Sequence, residues 1–165
     1  MKKTLGTMGA IIVAVIVIGA LVTVKYATAG ETARDGRFIA YSNGTVLDTK
    51  TNLMWAAKDN GSDINWANAK SYCKNYRGGE YKNWRMPTQN ELAGLYDNVK
   101  PKAYMAACGV DVYLTELIHP TCNWVWASET RGSDAAYFNL SDGHRPFTPA
   151  SSGTRMRVLP VRSGK

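Results

Sequence analysis

The sequence predicts an α+β fold in which two helices pack on mainly antiparallel twisted sheets, and three observations carry that prediction. Two segments, Trp66/Ala69/Cys73/Tyr76 and Leu92/Leu95/Tyr96/Val99, repeat apolar residues at helical spacing behind a capping residue. Short runs rich in β-branched and aromatic residues surround Asn43-Gly44 and Asp142-Gly143, dipeptides that readily take the positive dihedrals of a hairpin turn. A chain of 165 residues without internal repeats has room for one core beyond its N-terminal segment.

That segment comes first. Lys2-Lys3 precede an uncharged, strongly apolar run over 5–24 that ends at Lys25, long enough to span a bilayer. Ala27-Thr28-Ala29 before Gly30 is also an A-x-A cleavage pattern. Residues 1–29 therefore read as a signal peptide or an N-terminal transmembrane anchor, and both readings stay open. Either one keeps the lysines inside and exports the rest to a periplasmic or extracellular location, secreted or anchored. Setting aside Lys2, Lys3 and Lys25 from the 20 basic residues leaves 17 against 13 acidic ones, a balance of +4 where the whole chain carries +7. That balance suits an anionic polysaccharide or a lipid surface and is equally compatible with ordinary solubility.

Residues 30–37 are small, polar and charged and read as a short tether, so order is expected from Phe38, with a domain over 38–165. Phe38-Ile39-Ala40-Tyr41 is a strand, Asn43-Gly44 a two-residue turn, and residues 45–48 return antiparallel. A second turn over 49–52 leads to a strand over 53–56. Asn65 caps a helix over 66–76, which Gly78-Gly79 ends. Pro87 biases Met86 toward extended backbone, and Thr88 with Glu91 forms a capping box, so a second helix runs from Gln89 to about residue 98. Residues 100–120 lack clear periodicity. Central strands follow at 124–127 and 136–140, then a basic loop over 144–149. A closing strand over 155–161 puts Met156 and Val158 on one face and Arg155 and Arg157 on the other, with Pro160 at an edge or end.

Cys108 and Cys122 bracket the irregular stretch. In an oxidising compartment they are expected to form a disulfide that closes a loop of about fifteen residues and stabilises by about 3 kcal/mol in the chain-entropy model. With three cysteines, pairing of Cys73 with either one stays open.

The run Trp84-Arg85-Met86-Pro87-Thr88 with Glu91-Leu92 resembles the W-R-(L/M)-P-T-x-x-E-L signature of the Lcl C-terminal-domain family, a bacterial domain of unknown function. Further blocks agree in order: Asn43-Gly44 through Trp55, Trp66-Ala67-Asn68-Ala69 with Tyr72-Cys73, Trp126-Ala127-Ser128-Glu129, and Arg157-Val158-Leu159-Pro160-Val161-Arg162. The resemblance implies a C-type-lectin-like fold, export, and a role in binding or adhesion, and it implies no demonstrated enzyme activity. It makes Trp55, Trp66, Trp84, Arg85, Pro87, Thr88, Glu91 and Trp126 scaffold positions, with Glu129 a structural polar contact. It also implies a partner for Cys73 near the position held here by Leu159. The sequence departs from that pattern, which leaves Cys73 a buried free thiol.

Chemistry is sparse. His119, His144 and three scattered cysteines lack the paired spacing of a zinc site, and no stretch advertises a nucleophile with its base. Asp134, Asn139 and Asp142 are the one late group of calcium-type ligands, and Asp142 is accounted for as a turn residue. Calcium-independent binding with no cofactor or metal is expected. Phosphate loops and nucleic-acid motifs are absent. Arg131, His144 and Arg145, with Arg155 and Arg157, are the candidate contacts for sulfate or carboxylate, since arginine donates two parallel hydrogen bonds to such groups; the alternative is solvated loop charge. The expected partners are an anionic polysaccharide or envelope protein, a membrane through residues 5–24 if the leader stays, and further copies of the chain. A membrane-tethered structural subunit is the second reading. The third is a catalyst like the formylglycine-generating oxidases, for which Cys73 is the residue to test.

Overall fold

A computed structural model describes residues 29–99 and 103–164. The leader, with its apolar run over 5–24 and its competing signal and anchor readings, lies outside the described residues. No helix among those described is long and apolar enough to cross a membrane.

The fold is α+β. Strands β1 (Glu31–Asp35), β2 (Phe38–Tyr41), β3 (Thr45–Asp48), β4 (Leu53–Ala56) and β11 (Val161–Ser163) form an antiparallel sheet in the order β1-β2-β3-β4-β11. Strands β7 (Trp124–Arg131), β8 (Asp134–Asn139), β9 (Phe147–Pro149) and β10 (Met156–Arg157) form a second sheet in the order β10-β7-β8-β9, antiparallel except that β10 runs parallel to β7. A two-strand ladder, β5 (Tyr104–Met105) with β6 (Asp111–Val112), lies within the stretch whose sequence lacks periodicity.

Helix α1 (Trp66–Asn75) starts at Asn65, whose side chain accepts from Asn68 N. Helix α2 (Gln89–Leu95) starts at Thr88 in a complete capping box: Thr88 Oγ1 accepts from Glu91 N at 3.1 Å, and Glu91 Oε2 accepts from Thr88 N at 2.8 Å. Glu129 adds a second carboxylate to the same end, accepting from Gln89 N at 3.0 Å, so two negative groups meet the positive pole of a short helix.

The four-stranded sheet is covered on both faces. One face carries Val125, Ala136, Phe138 and Leu140 into a core shared with Trp55, Val46 and α2's Leu92 and Leu95. The other face carries Trp126 and Ala135 against Ala69 and Cys73 of α1, with Met86, Met156 and Val158. Trp55 and Trp126 are fully buried and Trp84 nearly so. Trp66 is only half-buried, though its Nε1 donates to Ala127 O at 2.8 Å. The disulfide joins Cys108 to Cys122, fourteen positions apart, and Cys73 is a buried free thiol.

Several expectations need correcting. Order begins before Phe38, because Glu31–Asp35 pairs with β2 as an edge strand. Its exposed, charged alternation disguised it as tether, yet charge is how sheet edges avoid unwanted pairing. The β2–β3 loop holds three residues: Gly44 N donates to Tyr41 O, and Gly44 itself takes the left-handed position at φ +77°. Helix α1 stops at Asn75, before the glycines, and Gly78–Glu80 form a separate 3-10 turn. Helix α2 ends at Leu95, leaving Val99 86% exposed rather than in the stripe.

The closing strand is two strands in two sheets. Pro160 lacks the N–H a continuous ladder needs, and the chain uses residues 158–160 to step from β10 across to β11. Arg155 sits at φ +63°, outside any strand, so it does not share a strand face with Arg157. Arg157, expected as a ligand contact, is buried. Its Nη1 donates to Asp63 Oδ1 at 2.6 Å and to Met156 O, and its Nε to Thr121 Oγ1 at 2.7 Å, pinning the loop over 59–63 to the segment after Pro120.

Candidate ligand-binding face

The remaining four candidates do not converge. Arg131 and Asp134 face each other across the β7–β8 turn, and Ala136 pairs with Phe147. By strand alternation this places Arg131 on the α2 side of the sheet, its guanidinium carbon 4.3 Å above the Phe147 ring. His144 and Arg145 occupy the β8–β9 turn. His144 projects outward with Nδ1 3.1 Å from Asp142 Oδ2, while Arg145 Nη1 donates to Asn90 Oδ1 at 2.7 Å and ties the turn to α2.

Arg155 stands on the opposite side of the sheet with two aromatics, Trp124 and Tyr137, whose sequence marks them only as strand residues. Trp124 and Trp126 share a strand face two residues apart, and Tyr137 is cross-strand from Trp126, so all three rings line one surface. Trp126 is sealed under α1, its Nε1 donating to Ile64 O at 2.8 Å. Trp124 and Tyr137 lie further out, half-buried, with ring centroids 5.7 Å apart. They form one wall of a cleft of about 230 Å³ rimmed by the hydroxyl side chains of Thr148, Ser152 and Thr154. The Arg155 guanidinium carbon lies 5.7 Å over the Trp124 ring.

The backbone holds it there at a cost. A left-handed conformation costs a non-glycine residue roughly 1–2 kcal/mol. The Asp63 carboxylate offsets part of this by accepting from Arg155 N. The Arg157 hydrogen bond first, and the Arg155 N–H second, hold the Asp63 carboxyl below the ordinary aspartate value, so the carboxylate stays ionised at neutral pH. Burial, with the Asp142 charge second, pushes the Tyr137 phenol up, so at neutral pH its hydroxyl is a donor.

Glu91, Glu129 and Cys73 are each engaged in the scaffold. Glu91 binds Arg85 Nη1 and Nη2 at 2.8 and 2.6 Å as well as Thr88 N. Glu129 caps Gln89. Burial pushes the Cys73 thiol up to about 12. Two of the three calcium-type side chains are locally occupied: Asn139 Oδ1 accepts from Asn123 and Ser141, and Asp142 Oδ1 from His144 N. Among the described residues no three His, Cys, Asp or Glu side chains gather as a metal site.

The profile of the Lcl C-terminal domain family matches residues 44–162, well over half of the chain. No curated protein matches it.

Proposed function

The chain belongs to the Lcl C-terminal domain family, and from that premise we propose that it is an exported, non-catalytic binding module of C-type-lectin-like fold that takes an anionic glycan, without calcium, on the Trp124–Tyr137–Arg155 shelf. One observation carries the reading: a non-glycine residue in a left-handed conformation, its N–H beside the exposed Asp63 carboxylate, that presents a guanidinium beside two half-buried aromatic rings at an open cleft. Strain of this kind gathers at ligand clamps. Arg155 supplies a two-pronged, charge-assisted donor for a carboxylate or sulfate. The rings of Trp124 and Tyr137 supply apolar surface for the C–H face of a pyranose, and the rim hydroxyls meet its hydroxyl groups. The paired or buried states of Glu91, Glu129 and Cys73 support the non-catalytic part.

Immobilised heparin tests this. The protein should be retained at low salt and released as salt rises. Arg155→Ala and Trp124→Ala should weaken retention about tenfold, the equivalent of about 1.4 kcal/mol, while Arg131→Ala on the opposite side should leave it nearly unchanged. Full retention by Arg155→Ala, or its loss in Arg131→Ala alone, would remove the shelf from the account.

A further inference from the structure

A second concave surface, separate from the shelf, lies between α1 and the segment over 84–88. It is a groove of about 490 Å³ with Trp66, Trp84 and Met86 as an apolar floor, Lys70 and Lys74 as a cationic rim, and Arg85, paired with Glu91, at its edge. We propose that this groove docks an extended acidic–apolar–acidic segment of a partner protein.

The hydrogen-bonding state of the groove argues for a peptide and against a sugar. Trp66 Nε1 is spent on Ala127 O and Trp84 Nε1 on Gly78 O. Arg85 is forked onto Glu91, and Thr88 Oγ1 sits in the helix cap. Trp84 is only 4% exposed, too little open surface for a pyranose to stack on. A hydroxyl-rich ligand entering here would lose hydrogen bonds to water and find few replacements in the floor. An aliphatic side chain needs none.

The rim supplies the charge. Lys70 and Lys74 are exposed, one helical turn apart, and make no ion pair among the described residues. Lys70 Nζ lies 5.1 Å over the Trp66 ring. Like charges at this spacing work against the helix, so a carboxylate between or beside them relieves the repulsion as well as adding attraction. No Asp or Glu lines the groove, and the nearby Glu91 is already neutralised by Arg85. The spacing also fits. Side chains one helical turn apart start about 6 Å from each other, and alternate residues of an extended chain lie about 7 Å apart on one side. Acidic residues at alternate positions therefore reach both lysines while the residue between them points to Trp84 and Met86.

Fluorescently labelled pentapeptides with Glu-Leu-Glu, Glu-Ser-Glu or Lys-Leu-Lys at their centre, titrated against the full chain in nonionic detergent, test the proposal by anisotropy. The Glu-Leu-Glu peptide should bind, at least fivefold tighter than Glu-Ser-Glu. A Lys70→Glu/Lys74→Glu variant should lose that binding at least tenfold and gain binding of Lys-Leu-Lys. Arg155→Ala should leave peptide binding unchanged, which separates this surface from the glycan shelf. The proposal is overturned if no peptide binds up to millimolar concentration, if the charge-reversed variant keeps its affinity for Glu-Leu-Glu, if a heparin hexasaccharide displaces the peptide from the groove, or if anionic phospholipid vesicles compete in the same way.

Discussion

Removing the Glu91 charge separates two jobs that one carboxylate performs. Its oxygens receive both terminal nitrogens of Arg85 and the Thr88 N–H, and the side chain is 20% exposed against 47% for Arg85. Glu91→Gln keeps an oxygen for the Thr88 N–H, because glutamine also closes a capping box, but loses the ion pair. With Arg85 half in water the pair contributes about 0.5–1 kcal/mol. Glu91→Ala loses the cap bond as well, for a total of about 1.5–2.5 kcal/mol. Urea unfolding at neutral pH is the assay, since guanidinium would screen the pair.

The pH dependence carries the sign. Burial alone would raise the Glu91 carboxyl, but the Arg85 and Thr88 hydrogen bonds outweigh it and hold the carboxyl below its ordinary value. A depressed acid contributes stability that is fully present above the unfolded value and is lost as pH falls through the folded one. The wild type should therefore lead Glu91→Gln at pH 7 and converge on it below about pH 4. A Gln variant as stable as wild type at pH 7, or a gap that does not narrow as the pH falls below the ordinary glutamate value, would refute the assigned role.

Three further outcomes follow from the packing. Replacing both Cys108 and Cys122 by serine should cost about 3 kcal/mol, read as a fall in melting temperature of roughly 10 °C, and reductant should reproduce it on the wild type. Cys73, buried and pushed up to about 12, should resist iodoacetamide in the native protein at pH 8 and react once urea unfolds it, as followed by mass spectrometry. Trp126→Phe should cost about 2–4 kcal/mol in urea unfolding, because it strands the Ile64 carbonyl and leaves a void where a fully buried ring stood.

Local chemistry was the legible part of the sequence. Asn65, Thr88 and Glu91 act at the helix starts as read, because a cap is decided within four residues. Of the signature tryptophans, Trp55, Trp84 and Trp126 are buried and Trp66 half-buried. What failed depended on distant partners. Nothing near Arg157 announces that Asp63 and Thr121 enclose it, and alternation alone put it with Arg155 on a solvent face. Charge and loop placement single out the five candidate cations but cannot tell one side of a sheet from the other. The two-residue spacing of Trp124 and Trp126 did hold a signal for the shelf: alternation puts both rings on one face, and only the inner one is covered by α1. Lys70 and Lys74, four residues apart beside Trp66, were a second signal, hidden by reading the helix only for its apolar stripe.

The narrow strand at Val161–Ser163 has a bearing on how the chain comes together. Arg162 meets Met54, 108 positions earlier, and Val161 exchanges two backbone bonds with Arg85 on its other side. A polypeptide delivered from its N-terminal end would thus hold β4 and Arg85 waiting, edges bare, until almost everything else had arrived. Closure over such a separation is slow. It also means that removing the residues after Arg157 would strip β4 and Arg85 of the strand that joins them.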